Sequence, residues 1–533
     1  MPKLLVLGLD GATWSIIEPL VNDGNLPNFK TLTDEGVRGN LESTIPPVTG
    51  PSWVSFATGL SPGKTGVFDF LVRERGSVNL TPISSRTIKG RAFWDILSSE
   101  QFRVGVFNFP MLYPPYETDG FMVSGAGSPD PSNITFPKKL KGELDNVTDG
   151  YELMVDYHNE KYDSETLFLE DLNRVLSKKS QALHYLATEK SWDMLLAVLS
   201  CTDWLQHLMW KHIDDSHPYH GHIESKTYLQ EFVKVWERID EILGRLLDAL
   251  EDANVFIVSD HGFGPQQGCF YLNTWLEKEG FLFRKHVAGA NMRTGVRRVA
   301  KKILAPLISI PLLKRGMKKF DTQVTVADQV DFERSKAFAL GHSIPFGAIY
   351  LNVEGREPHG FIEEKTRYRE VKDEITRKLV AVDQEVDTRL EATIFDPKRI
   401  YEGNMLDLAP DILFTMNDWK CVIVKSFTDH VYEDKPYSNR HTGSHRMDGI
   451  FLAYGPDIKV GREITNARIY DVAPTILHLF NRKIPATMDG KVLMSIFNEN
   501  SSCAKRKPKY VAADPAVEDL RKKIRKLKRT KRI

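Results

Sequence analysis

A chain of 533 residues that is 41% hydrophobic and 27% charged has the make-up of an ordinary folded protein, long enough for one large catalytic domain with inserts. Its four cysteines, Cys201, Cys269, Cys421 and Cys503, are widely spaced and fall in no CxxC pattern, so they suggest neither a disulfide framework nor a thiolate zinc site, which is compatible with a reducing compartment. The formal charge is zero, but residues 520–533 hold nine Lys or Arg and no acid, leaving −9 on the remainder.

The N-terminal stretch MPKLLVLGLDG carries a single lysine, lacks a small-residue cleavage site and runs directly into Asp10 and Gly11. It reads as a first strand rather than a signal peptide, and no apolar run of about 18 residues follows, so a cytoplasmic chain is expected. LLVLGLD, MLLAVLSCTD, VFIVSDHG and GIFLAYGP are short apolar runs that suit buried strands of a parallel sheet. Helix-like segments such as 228–250 and 470–479 alternate with them, which predicts a doubly wound α/β fold with a mostly parallel sheet and helices on both faces. The expected organisation is a catalytic domain over 1–499, with insertions at about 64–190 and 268–400, followed by a basic tail over 500–533.

In such sheets ligands gather at the carboxyl ends of the strands, where Asp10, Asp203, Asp260 and His261 fall. Asp10 ends the first strand and precedes Gly11; a helix N-cap is its plain alternative. Thr49, in PPVTGPSWVSFATG, stands where a helix begins, either as a turn or capping threonine or as a nucleophile beside free backbone N–H groups. Asp203 and His207 are four apart in CTDWLQH, hence on one face of a helix, as a surface pair or as ligands of a divalent ion. Asp260 and His261 follow an apolar strand and reach one ion only where the chain turns, a role the reading gives to Gly262. His445 precedes the strand of GIFLAYGP, with His441 as its competitor.

Taken in order, VLGLDG, TGPSWVSFATGLSPGKTGV, DWLQH, SDHG, GSHRMDGIFLAYGP, YDVAPTIL and MDGKVL resemble the alkaline phosphatase superfamily, and within it the type I phosphodiesterase and nucleotide pyrophosphatase branch. The resemblance runs to about residue 495. It implies a metal-dependent phosphoric ester hydrolase in which Asp203, His207 and His445 hold one divalent ion, Asp10, Asp260 and His261 hold another, and Thr49 bridges toward both. Thr49 is then the nucleophile of a phospho-threonine intermediate, with Gly50 and Ser52 as candidate substrate contacts. Zinc is the ion the resemblance implies, and Asp and His ligands also accept manganese or iron.

One departure concerns specificity. The branch's diesterases carry an asparagine about twenty residues after the nucleophile, and here that count lands on Phe70, beside Asp69. Rival readings are a phosphomonoesterase or phosphomutase of the same superfamily, and a binding protein built on an inactive hydrolase scaffold. The expected partner is a small phosphate ester such as a nucleotide. The basic segments 293–319 and 520–533 suit an anionic membrane surface or nucleic acid by charge, or simply a packed insert and a solvated tail.

Overall fold

Leu4–Leu9 (β1) contains no polar side chain and is buried along its whole length, as a strand must be when helices cover both faces of its sheet. The computed structural model describes residues 2–155, 162, 164–250, 252–285, 326–342, 344–364, 366–384, 390–438 and 440–512. The basic segments 293–319 and 520–533 lie outside the described residues.

Around β1 stand Val37–Glu42 (β2), Val104–Phe109 (β3), Gly120–Ser124 (β4), Thr135–Phe136 (β5), Met194–Leu199 (β6) and Asn254–Val258 (β7). Gly262–Pro265 (β8) and Gly443–Arg446 (β9) form a separate antiparallel pair, and Asp448–Tyr454 (β10) and Arg462–Arg468 (β11) return to the main sheet. The nine-stranded order is β11-β2-β10-β7-β1-β6-β3-β4-β5. β1 pairs in parallel with β6 and β7 in unbroken register from Leu4.

Alternate residues of β1 feed two different cores. Leu5, Leu7 and Leu9 pack with the helices Glu165–Glu189 (α2), Cys201–Ile213 (α3) and His222–Ala249 (α4), whereas Leu4 and Val6 pack with Thr49–Thr58 (α1) and Val472–Leu479 (α5). This period-two division is the doubly wound arrangement expected from the sequence. One strand differs from expectation: β10, the GIFLAYGP run, is antiparallel to both β7 and β2. Its chain enters the sheet from the β8–β9 pair instead of through a crossover helix, and a continuous apolar run records burial on both faces, not direction. The interval expected as an insertion at 64–190 supplies β3, β4, β5 and α2, so much of it belongs to the central layer.

A second, antiparallel sheet is built from Ala337–Phe338, Gly347–Leu351, Ile412–Met416 and Ala392–Phe395, with its own core around Phe270, Trp275 and Phe414. Val48, the residue before Thr49, packs into that core. Residues expected to open a tail are packed as well: Cys503 is buried, and Tyr510–Val511 pairs with Ile484–Pro485. Among the described residues no helix is long and apolar enough to cross a membrane.

Gly8 lets α1 approach β1, because a Cβ there would stand 2.5 Å from Cη2 of the fully buried Trp53. Gly8→Ala is therefore expected to cost about 1–3 kcal/mol of unfolding free energy by overpacking, measured by urea denaturation.

Candidate active site

α3 begins as soon as β6 ends, and its helical spacing sets Asp203 and His207 one turn apart on the same side. Its other side chains fasten the helix to the end of β1: the Thr202 hydroxyl donates to the Asp10 carbonyl at 2.6 Å, and the Gln206 amide to the Gly11 carbonyl at 2.9 Å. Gly11, with φ of +69°, makes the turn that follows Asp10. Its N–H donates to Asp260 Oδ1 at 3.2 Å, while Ser43 holds the Asp260 carbonyl at 2.6 Å. β7 has already ended at Val258, so the bend lies at Asp260 and His261 themselves. Gly262 does not make the turn; it is required by close approach, since a Cβ would lie 2.1 Å from the Asp448 carbonyl oxygen.

The three histidines share one device. Nδ1 of His207, His261 and His445 lies 2.9, 3.1 and 3.1 Å from the carbonyl oxygens of Gly443, Gly262 and Pro47. A carbonyl only accepts, so each Nδ1 carries the hydrogen and each Nε2 is directed inward as a lone pair. The inward atoms converge. Nε2 of His207 and of His445 are 3.1 Å apart and each is 3.4 Å from Asp203 Oδ1. His261 Nε2 is 3.6 Å from Asp10 Oδ1 and 3.3 Å from Asp260 Oδ2.

Asp203, His207 and His445 thus form one group and Asp10, Asp260 and His261 another, the offered atoms within each lying within 4.8 Å of one another. Asp10 Oδ1, Asp203 Oδ1 and Asp260 Oδ2 are buried without a hydrogen-bond donor. Oxygen and imidazole donors with orphaned lone pairs at the centre fit a divalent cation such as zinc, manganese or iron. His445 completes the first group, while His441 stands beside His207 with ring centroids 5.6 Å apart.

Electrostatics show the same demand. Burial raises Asp10 well above the usual carboxylate range, helped by the charges of Asp260 and Asp203, and burial pushes Asp260 up to about 8. Asp203 is just as buried, yet the His207 and His445 imidazoles hold it well below its ordinary value. Burial works against His207, but Asp203 raises it; burial lowers both His261 and His445. The cluster needs positive charge at its centre, supplied by protons or by metal ions.

Thr49 is the first residue of α1, with Val48 in the capping position, so its hydroxyl does not cap the helix. Its Oγ1 lies 3.3 Å from His261 Nε2, and the residue is 9% exposed. Gly50 follows in a cradle that a Cβ would fill, 2.9 Å from Ile83 Cδ1 and 3.1 Å from the Asp69 carbonyl oxygen. Ser52 is turned inward instead, onto the Ser43 and Thr44 hydroxyls at 2.7 and 3.0 Å, which makes it a support of the turn rather than a substrate contact. The distal motifs also meet here: Asp489 of MDGKVL accepts from Ser61 N–H at 2.8 Å and from Lys64 at 2.6 Å, pinning the loop that closes α1.

Residues 4–448 match the family described as type I phosphodiesterase / nucleotide pyrophosphatase. The chain belongs to this family. It is accordingly a hydrolase of phosphoric ester bonds, on an alkaline phosphatase-like fold. Murine ectonucleotide pyrophosphatase / phosphodiesterase 5 aligns over 93% of this chain and all of its own, at 14% identity and TM-score 0.50. Its inactive threonine-to-alanine variant, in complex with AMP, aligns over the same shares at 13% identity and TM-score 0.51. No curated protein matches the sequence.

Sequence reasoning passed over Thr202, Gln206 and Ser43, because single polar residues that bond to backbone leave no pattern. It also passed over the carbonyls of Pro47, Gly262 and Gly443, which carry no side-chain signal at all.

The shifts predict a pH dependence of the cation-free protein. Asp260 binds a proton up to about pH 8 when folded but only to about pH 4 unfolded, and His207 is raised in the same sense. Between about pH 6.5 and 8 the folded state therefore holds more protons than the unfolded one, and stability falls as pH rises. Chelator-treated protein should lose on the order of 1 kcal/mol of unfolding free energy per pH unit in this window. Added zinc or manganese should abolish the slope, as measured by denaturant titration at each pH.

Proposed function

We propose that the chain hydrolyses phosphodiester or pyrophosphate bonds of nucleotide-like substrates, with Thr49 as covalent nucleophile. The observation that carries this reading is the convergence of three inward Nε2 atoms and three orphaned carboxylate oxygens beside the Thr49 hydroxyl at the start of α1. Asp203, His207 and His445 would hold one divalent cation and Asp10, Asp260 and His261 the other, zinc being the expectation and manganese or iron the alternatives. Bound there, such ions supply Lewis-acid stabilisation to the attacking and leaving oxygens of an in-line displacement.

The chain's own residues do the rest. Thr49 Oγ1 attacks phosphorus, the bond to the leaving oxygen breaks, and water then cleaves the phospho-threonine to restore the hydroxyl, with two inversions in total. The first N–H groups of α1, including that of Gly50, have no partner within the helix and would donate to a phosphoryl oxygen bound there, with the helix dipole favouring its negative charge. The buried surroundings of Asp10 and Asp260 strengthen each charge contact made there. The AMP complex of the murine protein, and the inactivity of its threonine-to-alanine variant, support a nucleotide substrate and a threonine nucleophile.

Turnover of bis-p-nitrophenyl phosphate and of p-nitrophenyl phosphate, with and without zinc or manganese, tests this reading. Thr49→Ala should lower diester turnover by roughly a thousandfold or more, as loss of a nucleophile does, while bound metal measured by mass spectrometry stays within the range of the wild type. Full activity in the alanine variant would sink the assignment, and a preference for the monoester would move the reaction class without moving the site.

A further inference from the structure

A second polar cluster reaches α1 at Gly50. The carbonyl of Asp69 touches the position of a Gly50 Cβ, while its carboxylate turns to the second sheet's side of the molecule. There it accepts from its neighbour Phe70 N–H at 2.6 Å and from His342 N–H at 3.2 Å. The contact is close enough to dictate sequence: Gly341 has φ of +98°, and a Cβ on it would lie 2.3 Å from Asp69 Oδ2. Lys425, directly after the strand Cys421–Val424, is fully buried, lies 3.9 Å from Asp69 Oδ2 and donates to the His342 carbonyl.

Asp69 is approached from two sides: by Lys425 from inside the protein, and by the imidazole of His342, with Nδ1 3.4 Å from Asp69 Oδ1 and the side chain 51% exposed. Its ring stands edge-on to Phe70 at 5.5 Å, which together with the carboxylate fixes its orientation. The half-exposed His342 ring therefore stands on the cluster whose Asp69 carbonyl touches Gly50, one residue after Thr49.

We propose that His342 is a specificity-determining residue that contacts an anionic substituent on the phosphorus attacked by Thr49, namely the neighbouring phosphate of a pyrophosphate-linked substrate. This rests on the reading of Thr49 as nucleophile. Val48 packs into the second sheet's core and the Asp69 carbonyl touches Gly50, so that side of the molecule abuts the first turn of α1 on both sides of Thr49. A substrate extending along this side meets an imidazole as its solvent-facing polar group. An imidazole N–H donates to a phosphate oxygen, whose negative charge strengthens the bond, and has nothing comparable to offer an uncharged ester substituent.

The test compares the dinucleotide ApA, joined by one phosphate, with the dinucleoside pyrophosphate AppA, joined by two, using the metal-loaded full chain. In His342→Ala, the ratio of kcat/KM for AppA to that for ApA should fall about tenfold, the size of one charged hydrogen bond. His342→Lys, which keeps an N–H donor for phosphate, should restore most of it. An unchanged ratio in the alanine variant, restoration by His342→Phe instead of lysine, or a wild type that cleaves ApA but not AppA would each overturn the proposal. Thr49→Ala separates the two readings: if it retains turnover the proposed function falls, whereas if it is inactive and the His342→Ala ratio is unmoved, only the present inference falls.

Discussion

Three carboxylates and three imidazoles buried at the ends of neighbouring strands cannot coexist with their lone pairs facing one another unless positive charge sits between them. At an effective dielectric of about 20, two carboxylate charges some 5 Å apart repel by roughly 3 kcal/mol, before the cost of taking each from water is counted. The rest of the molecule is arranged to hold this unfavourable geometry in place. β1, β6 and β7 are consecutive in the sheet and end at one level, which delivers Asp10, the start of α3 and the Asp260–His261 bend to one place. Thr202, Gln206, Ser43 and the three carbonyls then fix five of the six candidate ligands, Asp10, Asp260 and the three histidines, through hydrogen bonds to the backbone. Such outer contacts set ring orientation and tautomer, and they remove the freedom that would let the lone pairs turn away.

Much of this was legible because burial and chain direction leave marks in sequence. LLVLGLD, MLLAVLSCTD and VFIVSDHG are apolar because both faces of their strands are covered, and the polar residue that ends each run is where the strand reaches the sheet edge. The four-residue step from Asp203 to His207 announced a shared helical face. Direction was not legible for GIFLAYGP, since an antiparallel strand buried on both faces has the same composition as a parallel one. Gly262 shows the complementary blindness: a glycine demanded by the Asp448 carbonyl of a strand nearly 190 residues away looks, in sequence, like a glycine demanded by a turn.

Residues 64–190 were misleading for a related reason. Their richness in Pro, Gly and aromatic residues suggests an appendage, yet Phe93 and Phe109 pack against Phe56 and Trp53 of α1, with Trp94 edge-on to Phe109 behind them. Aromatic rings at edge-to-face distances of 5.0–5.6 Å fill the space under α1 and leave little room for it to shift. What reads as irregular composition is the packing that gives Thr49 a fixed height above the sheet.

The second sheet bears on chemistry through two contacts at the same helix end. Val48 anchors the approach to Thr49 in a core that the central sheet does not share, and Asp69 ties Gly50 to Gly341 and His342. The candidate ligand groups belong to the central sheet and its loops, whereas the residues packed against the first turn of α1 from the other side belong to a separately packed core. The two parts meet at several points: Val48 beside Thr49, the Asp69 carbonyl at Gly50, and the Trp419 carbonyl, which accepts from Arg446 next to His445. The absence of a side chain on Gly50 is what lets Asp69 come so close to the start of α1.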